Sequence, residues 1–339
     1  EEELHPIEVQ VDELGFCNAA VPEQCDLIIL GDSFTRGADV DYRKRWVTLL
    51  ENFTGWKAYN MGIGGIGPSQ EVEIYRRYGD RVKSWGVLIG ILGINDLTDE
   101  DNFARYLASG KTVKEWAYHR VNQFYPSKGF AIANLIRGRL LATPSLGEQL
   151  DAILVNNTSK PTRVGYVNMS QTQAYQIYKS GPGNYAPVQS MVRSLKTLAD
   201  LCREKDRKLA VLYFPIKQTI HPPAEEDSEN WLNYIRVGIT PKEYEKLTTD
   251  EISALAVDIL RSDELLESYY AEVCQNLKIP FFSLRPPLQE WVRKTGQLVY
   301  YRFDSHWNNE GNACVGRAVA QWLSGLEGWE ERLPPKRTD

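Results

Sequence analysis

Three apolar runs with no polar alternation constrain this chain most: Leu27–Leu30, Val87–Leu92 and the stretch from Lys208 to Phe214. A strand with one face in water alternates polar and apolar residues. One that is apolar at nearly every position is buried on both faces, as in a parallel sheet covered by helices. Amphipathic segments separate the runs, as such a sheet requires. Lys44 to Phe53 carries Trp46, Leu49, Leu50 and Phe53 on one helical stripe, and Pro187 to Lys205 carries Met191, Leu195, Leu198 and Leu201. Ser69 to Val82 reads as a third helix, entered through Pro68.

Lys57–Met61 and Ile279–Leu284 complete the set as short strands. Asp263 to Asn276, Pro286 to Lys294 and Asn308 to Leu323 read as further helices. The expected architecture is α/β: a three-layer α/β/α, flavodoxin-like arrangement around a five-stranded, mostly parallel sheet. Regular alternation breaks twice, giving insertions at about 97–186 and 215–262. The first is rich in aromatics (Trp116, Tyr118, Phe124, Tyr125, Tyr166, Tyr185), which suit either a local core or a carbohydrate platform. The expected organisation is an extension at 1–24, one domain at 25–330 and a tail at 331–339.

Composition narrows the partners. A net charge of −6 over 339 residues argues against a nucleic-acid footprint or an anionic membrane surface. The longest apolar run, Val87 to Ile94, is far below the roughly 18–20 residues that span a bilayer. The chain opens at Glu1-Glu2-Glu3, so an export or anchor segment removed ahead of it is an expectation, and with it a periplasmic, extracellular or membrane-anchored location. Cys17 and Cys25 stand close enough to pair in an oxidising compartment, or to remain small buried thiols. None of the five cysteines has zinc-site spacing, and His5, His119 and His221 are isolated, so no metal or cofactor is expected.

The chemistry-bearing residues gather where strands end. Gly31-Asp32-Ser33-Phe34-Thr35 follows the first strand, Asn60-x-Gly62-x-x-Gly65 the second, and Gly93-Ile94-Asn95-Asp96 the third, while Asp304-Ser305-His306-Trp307-Asn308 precedes the last helix. A serine hydroxyl becomes nucleophilic when a neutral imidazole takes its proton, and a carboxylate fixes that imidazole's tautomer. Ser33, His306 and Asp304 are candidates for those roles. Backbone N–H groups at Ser33 and Gly65 and the Asn95 amide could stabilise a developing oxyanion. The alternatives are a helix cap for Ser33 or His306, turn residues for Asp304 and Asn95, and a neighbouring glycine in place of Gly65. Asp32 and Asp96 read as supports for their loops. Gly62-x-Gly64-x-x-Gly67 matches the dinucleotide fingerprint in letter, but Trp85 to Ile94 lacks the ribose-binding acid and Pro68 intrudes.

Taken together, Gly31-Asp32-Ser33-Phe34, Gly65, Gly93-x-Asn95-Asp96 and Asp304-x-His306 resemble, in order, the four blocks of the SGNH (GDSL-type) hydrolase superfamily. The resemblance covers about Cys25 to Leu323 outside the insertions. It implies Ser33 as nucleophile, His306 as base, Asp304 as its orienter, and Ser33, Gly65 and Asn95 as the oxyanion hole. It implies an ester hydrolase, without cofactor, acting on a small acyl ester or an acetylated carbohydrate of an exported polymer. The ending departs from the commoner Asp-x-x-His-Pro. Asp304-x-His306-Trp307 is similar to the Asp-x-His-Trp motif of the alginate O-acetyltransferases, which place it before the serine. That similarity implies O-acyl transfer as an alternative, and a non-catalytic glycan-binding protein on the same scaffold is a third expectation. The opening Asp12-x-x-Gly15-Phe16-x-Asn18 is similar to exported bacterial SGNH-like proteins.

Overall fold

The computed structural model of the chain describes residues 9–37, 39–112, 154–157, 162–165, 171–221, 248–301, 304–329 and 331. Its centre is a five-stranded parallel sheet. The strands are β1 (Leu27–Leu30), β2 (Ala58–Asn60), β3 (Gly86–Leu92), β6 (Lys208–Phe214) and β7 (Phe281–Ser283), in spatial order β2-β1-β3-β6-β7. Counting sheet strands alone this is the order 2-1-3-4-5, that of flavodoxin-like folds, with the switch point between β1 and β3. Two further strands, β4 (Leu154–Asn157) and β5 (Thr162–Gly165), pair with each other antiparallel.

Strand period two divides the core into its two layers. Ile28, Leu30, Val87, Ile89, Ile91, Val211 and Tyr213 face one side. They meet α3 (Pro68–Tyr78), α6 (Ala186–Glu204) and α8 (Thr249–Leu277) through Val72, Tyr75, Met191, Leu195, Leu266 and Tyr270. Leu27, Ile29, Leu88, Leu92, Ala210, Leu212 and Phe214 face the other. They meet α2 (Trp46–Thr54), α9 (Arg285–Thr295) and α10 (Asn309–Ser324) through Trp46, Leu50, Leu288, Val315 and Val319. Every residue of β1 and β3 is buried, which accounts for their unbroken apolar runs.

The remaining described helices are α1 (Ser33–Arg36), α4 (Asn95–Ser109), α5 (Gln171–Ser180) and α7 (Lys217–Ile220). The strands expected at Leu27–Leu30 and Lys208–Phe214 form with those bounds. Two helices occupy parts of the stretches read as insertions, one of them not expected at all. α4 continues to Ser109, and α8 begins at Thr249 instead of Asp263. Neither span contains Gly or Pro, and both are rich in good helix formers, so nothing local stops them. Tyr185 packs against the first core layer and donates to Gln173. Trp116, Tyr118, Phe124, Tyr125 and Tyr166 lie outside the described residues. Cys17 and Cys25 are free thiols, not a disulfide. Among the described residues no helix is long and apolar enough to cross a membrane.

A buried ionic knot fixes the carboxyl ends of β6 and β7. Asp263, fully buried on α8, accepts from Tyr213 Oη (2.6 Å), Arg285 Nη2 (2.9 Å), Thr219 Oγ1 (3.1 Å) and Ile216 N (3.3 Å). Arg285 is itself buried and also pairs with Glu267. Removing one partner of such a pair leaves the other as an uncompensated charge. Arg285→Met should therefore lower the unfolding free energy by about 3–5 kcal/mol in urea titration. A loss under about 1 kcal/mol would mean that the knot is electrostatically idle.

Candidate active site

The chain leaves β1 at Leu30, turns through Gly31 and Asp32, and enters α1 at Ser33. Asp32 caps that helix, accepting the Phe34 N–H at 2.9 Å. Ser33 is thereby held at the carboxyl end of β1, beside the switch point, where open α/β sheets gather ligands. Asn95 arrives at the same rim as the first residue of α4, directly after β3.

The histidine comes from a loop anchored by its neighbours. Trp307 is buried with its ring edge-on to Phe34 and Phe214, 4.8 Å between centroids in each case. Asn308 caps α10, accepting from Gly311 N at 3.0 Å, and donates back to Leu298 O at 2.7 Å. Between these anchors and Tyr301, whose N–H bonds His306 O at 2.9 Å, Asp304 folds onto its own loop. Its Oδ1 accepts the His306 backbone N–H at 2.7 Å and lies 2.5 Å from Nδ1. His306 Nε2 then lies 2.8 Å from Ser33 Oγ, across 273 positions of sequence. An ionised carboxylate only accepts, so Nδ1 carries the proton and Nε2 is free to accept from the serine hydroxyl.

The glycine loop is clamped from two sides. Asn60 Nδ2 donates to Thr35 O at 2.7 Å and Asn60 Oδ1 accepts from Gly62 N at 2.8 Å. Asn18 Nδ2 donates to Asn60 O (2.9 Å) and Asn18 Oδ1 accepts from Asn60 N (3.2 Å). Asp12 braces this segment in turn, accepting from Phe16 N, Asn18 Nδ2 and Tyr59 Oη. The opening Asp-x-x-Gly-Phe-x-Asn motif thus supports the loop that follows β2. A Cβ at Gly62 would sit 2.5 Å from Arg36 N, so only glycine allows this approach. Gly64 lies against Ser33, within 3.4 Å of its Cβ by the same measure. Gly65 follows with φ +75°, its α-carbon facing open space. Asn95 Nδ2 gives one hydrogen to Asp99 Oδ2 at 3.4 Å, which leaves its second for the cleft. Phe34, Leu92, Asn95, Ile216, Lys217 and Ser305 line a cavity of about 20 Å³.

Electrostatics separate the acids around the serine into two groups. Burial would raise Asp304, but its hydrogen bond to His306, the imidazolium charge and Lys217 hold it below the usual carboxylate range. Burial would lower His306, but Asp304, with Asp32 and Asp39 behind it, holds the imidazole above 6.5. Beneath the serine, burial pushes Asp32 up to about 7. Burial and then the charge of Asp32 raise Glu71 and Asp96 well above the carboxylate range. Asp96 accepts from Leu92 N at 2.8 Å, so Asp32 and Asp96 brace their loops. Among the described residues, Asp32 and Asp96 each keep one carboxyl oxygen without a hydrogen-bond partner, and Glu71 keeps both.

The sequence gives no direct sign of two contributors, Asp39 and Lys217, nor of the partner of a third, Asn18. Asp39, exposed and at φ 60°, brings Oδ2 to 3.9 Å from His306 Nδ1. Asn18 reaches the glycine loop through Asn60, and Lys217 reaches the histidine loop from α7. Asn18 belongs to the opening Asp-x-x-Gly-Phe-x-Asn motif, whereas Asp39 and Lys217 sit in no motif block, and the position of Lys217 shortly after the fourth strand of the sheet is its one sequence signal. Asp39, Asp304 and His306 form the one set among the described residues with ligand atoms within 4.8 Å of one another. Nδ1 is already taken by Asp304, so a cation there would compete with that bond.

No family model matches the sequence, and no curated protein matches it. Solved structures do. A lipolytic protein of the G-D-S-L family from Veillonella parvula is 14% identical, with 89% of this chain and 99% of that one covered and a TM-score of 0.41. One from Desulfitobacterium hafniense is 9% identical over 89% and 100%, with a TM-score of 0.42. A variant of an acetyl-xylooligosaccharide esterase from Geobacillus is 12% identical over 91% and 95%, with a TM-score of 0.42. At such values the likeness decides nothing about chemistry, which rests on the distances above.

The shifts give a direct test of the site. Titrated by NMR, His306 should show a midpoint above 6.5, and Asp304→Asn should bring it down. The pair's contribution to stability should fade as pH falls through the lowered Asp304 pKa, and again as pH rises through the raised His306 pKa. A midpoint at or below 6.5 in the unaltered protein would contradict the arrangement.

Proposed function

We propose that the chain is a serine esterase of SGNH type, acting through an acyl-Ser33 intermediate. The observation that carries this reading is the continuous chain from Ser33 Oγ to His306 Nε2 (2.8 Å) and from His306 Nδ1 to Asp304 Oδ1 (2.5 Å). In this mechanism Ser33 Oγ attacks the ester carbonyl as its proton passes to His306 Nε2. Asp304 stabilises the imidazolium that forms. Charge on the former carbonyl oxygen is met by the N–H groups of Ser33 and Gly65 and by the second Asn95 amide hydrogen. His306 returns the proton to the leaving alkoxide. A water, deprotonated by the same imidazole, then attacks the acyl carbon, breaks its bond to Oγ and regenerates Ser33.

The cavity beside Asn95 supports acetyl as the acyl group. Its volume of about 20 Å³ suits a short acyl group. The alcohol in this proposal is a carbohydrate or cell-envelope polymer hydroxyl, and the chain acts after export, as the motif resemblance implies. A second reading, O-acyl transfer, has one specific feature in its favour, the Asp304-x-His306-Trp307 ending. The two share every step through acyl-Ser33 and differ only in whether water or a sugar hydroxyl accepts the acyl group.

A fluorophosphonate should label Ser33 in the unaltered protein, and Ser33→Ala should lose both the label and about 10⁴-fold or more in turnover of an acetyl ester. An unlabelled serine in folded protein would leave a non-catalytic glycan-binding protein as the better description. Asn95→Ala should cost about 10²–10³-fold in kcat with little change in KM. A change confined to KM would remove Asn95 from the oxyanion hole. Butyryl esters should turn over about tenfold or more slowly than acetyl esters. Equal rates would show that the acyl group binds elsewhere. Acetylated oligosaccharide forming faster than free acetate would favour transfer.

A further inference from the structure

Lys217 is the first residue of α7, directly beyond the carboxyl end of β6, and only 3% exposed. Its Nζ donates to Tyr301 O at 2.7 Å and to Asp304 O at 3.2 Å. An ammonium taken out of water is costly unless its hydrogens are bonded. Here two of them go to carbonyls of the loop that carries Asp304 and His306. That loop needs an outside tie. The Asp304 side chain is 46% exposed, and Trp307 and the Tyr301 N–H hold the loop at Trp307 and His306. We propose that Lys217 is a positioning residue: its buried ammonium ties Tyr301 to Asp304 and so keeps the Asp304 carboxylate against His306. The inference rests on the esterase reading above and goes beyond it.

The surroundings of Lys217 suit this role. The Ile216–Thr219 turn that presents it is pinned by Asp263, which accepts from Ile216 N and Thr219 Oγ1 and is held by Arg285. His221, at the end of α7, accepts from Val299 N at 3.2 Å. Burial, then the charge of Lys217, pulls it down to about 4, so it is neutral at working pH and does not compete for the carboxylate. Asp304 faces Lys217 from the loop and is lowered in part by its charge. His306 in turn faces Asp304, Asp39 and Asp32. Lys217 also borders the cavity beside Asn95, but its Nζ is bonded to the carbonyls of Tyr301 and Asp304, so it acts through the Asp304 loop.

The test compares Lys217→Met, Lys217→Gln, Asp304→Asn and the Lys217→Met/Asp304→Asn double variant in the full chain, using an acetyl ester and fluorophosphonate labelling of Ser33. Expected for Lys217→Met is a kcat loss of about 10–10²-fold with KM nearly constant, and an acid limb of kcat/KM moved down toward 6.5 as Asp304 releases the imidazole. Lys217→Gln, which keeps a donor without the charge, should fall between. On an Asp304→Asn background, Lys217→Met should add less than about threefold, because two residues acting as one unit are not additive. An unmoved acid limb, or fully additive losses, overturns the proposal, since a merely structural lysine would lower the amount of active protein and leave the pH profile alone. Labelling of the unaltered protein keeps the two failures apart. Unlabelled Ser33 in unaltered protein sinks the esterase reading, whereas normal labelling with Lys217 variants indistinguishable from it sinks only the lysine.

Discussion

Burial of the sheet on both faces is the constraint on which everything else depends. With β1 and β3 sealed between two helical layers, polar side chains have no place along the strands and collect where the strands end. The order β2-β1-β3-β6-β7 opens a crevice at the carboxyl ends of β1 and β3. Ser33 and Asn95 enter it from the two strands that flank the switch point. His306 enters from the loop ahead of α10, the helix that packs against α2 through the second core layer. The distance between Ser33 and His306 is thus a product of layer packing. α2 and α10 are locked where Asn312 Oδ1 accepts the Trp46 N–H at 3.0 Å, and a shift of those helices would carry His306 away from Ser33.

Several carboxyl groups gather around Ser33 and His306, and burial sorts them. Asp304 is partly open, bonded to an imidazole and near an ammonium, so it stays ionised. Glu71 and Asp96 are fully buried, raised by burial and then by the charge of Asp32, and are best accommodated as neutral acids, while burial pushes Asp32 itself up to about 7. The separation has a mechanistic consequence. A fully ionised cluster directly beneath Ser33 would oppose the negative charge that builds on the substrate oxygen, whereas neutral acids brace the loops without adding that opposition.

Much of this was legible because its signals are local. β1 and β6 form with the bounds read from their apolar runs, and the helix stripe through Trp46 and Leu50 faces the core as read. Ser33, His306 and Asp304 could be named as candidates because strand-end turns and the Asp-x-His spacing are sequence-local, and the structure brings the three together. What stayed hidden is what depends on distance in space. α8 begins at Thr249, ahead of its expected start, because the helix formers from Thr249 to Ser262 are interrupted by no Gly or Pro. The service of Asn18 to the glycine loop runs through Asn60, 42 positions away, and that of Lys217 to Asp304 spans 87. No periodicity or spacing encodes such partners; they exist only once the sheet has set its rim.

The single-residue spacer in Asp304-Ser305-His306 now has a physical account. Oδ1 accepts the backbone N–H two residues on, an Asx-type closure, and the same oxygen then meets Nδ1 of that residue's ring. Carboxylate and imidazole therefore belong to one tight turn and move as a unit. A longer spacer would let the acid and base be oriented separately; this one reduces the task to fixing a single turn relative to Ser33. Trp307 fixes it through the aromatic layer, Asn308 through the cap of α10, and Lys217 from the opposite side through Tyr301 and Asp304. Three ties from three directions are the least that will hold a rigid body in place. The Tyr301 N–H, bonded to His306 O at 2.9 Å, joins the same set, and Lys217 holds the carbonyl of Tyr301 as well, which is why a lysine outside every motif block matters to the geometry of the serine.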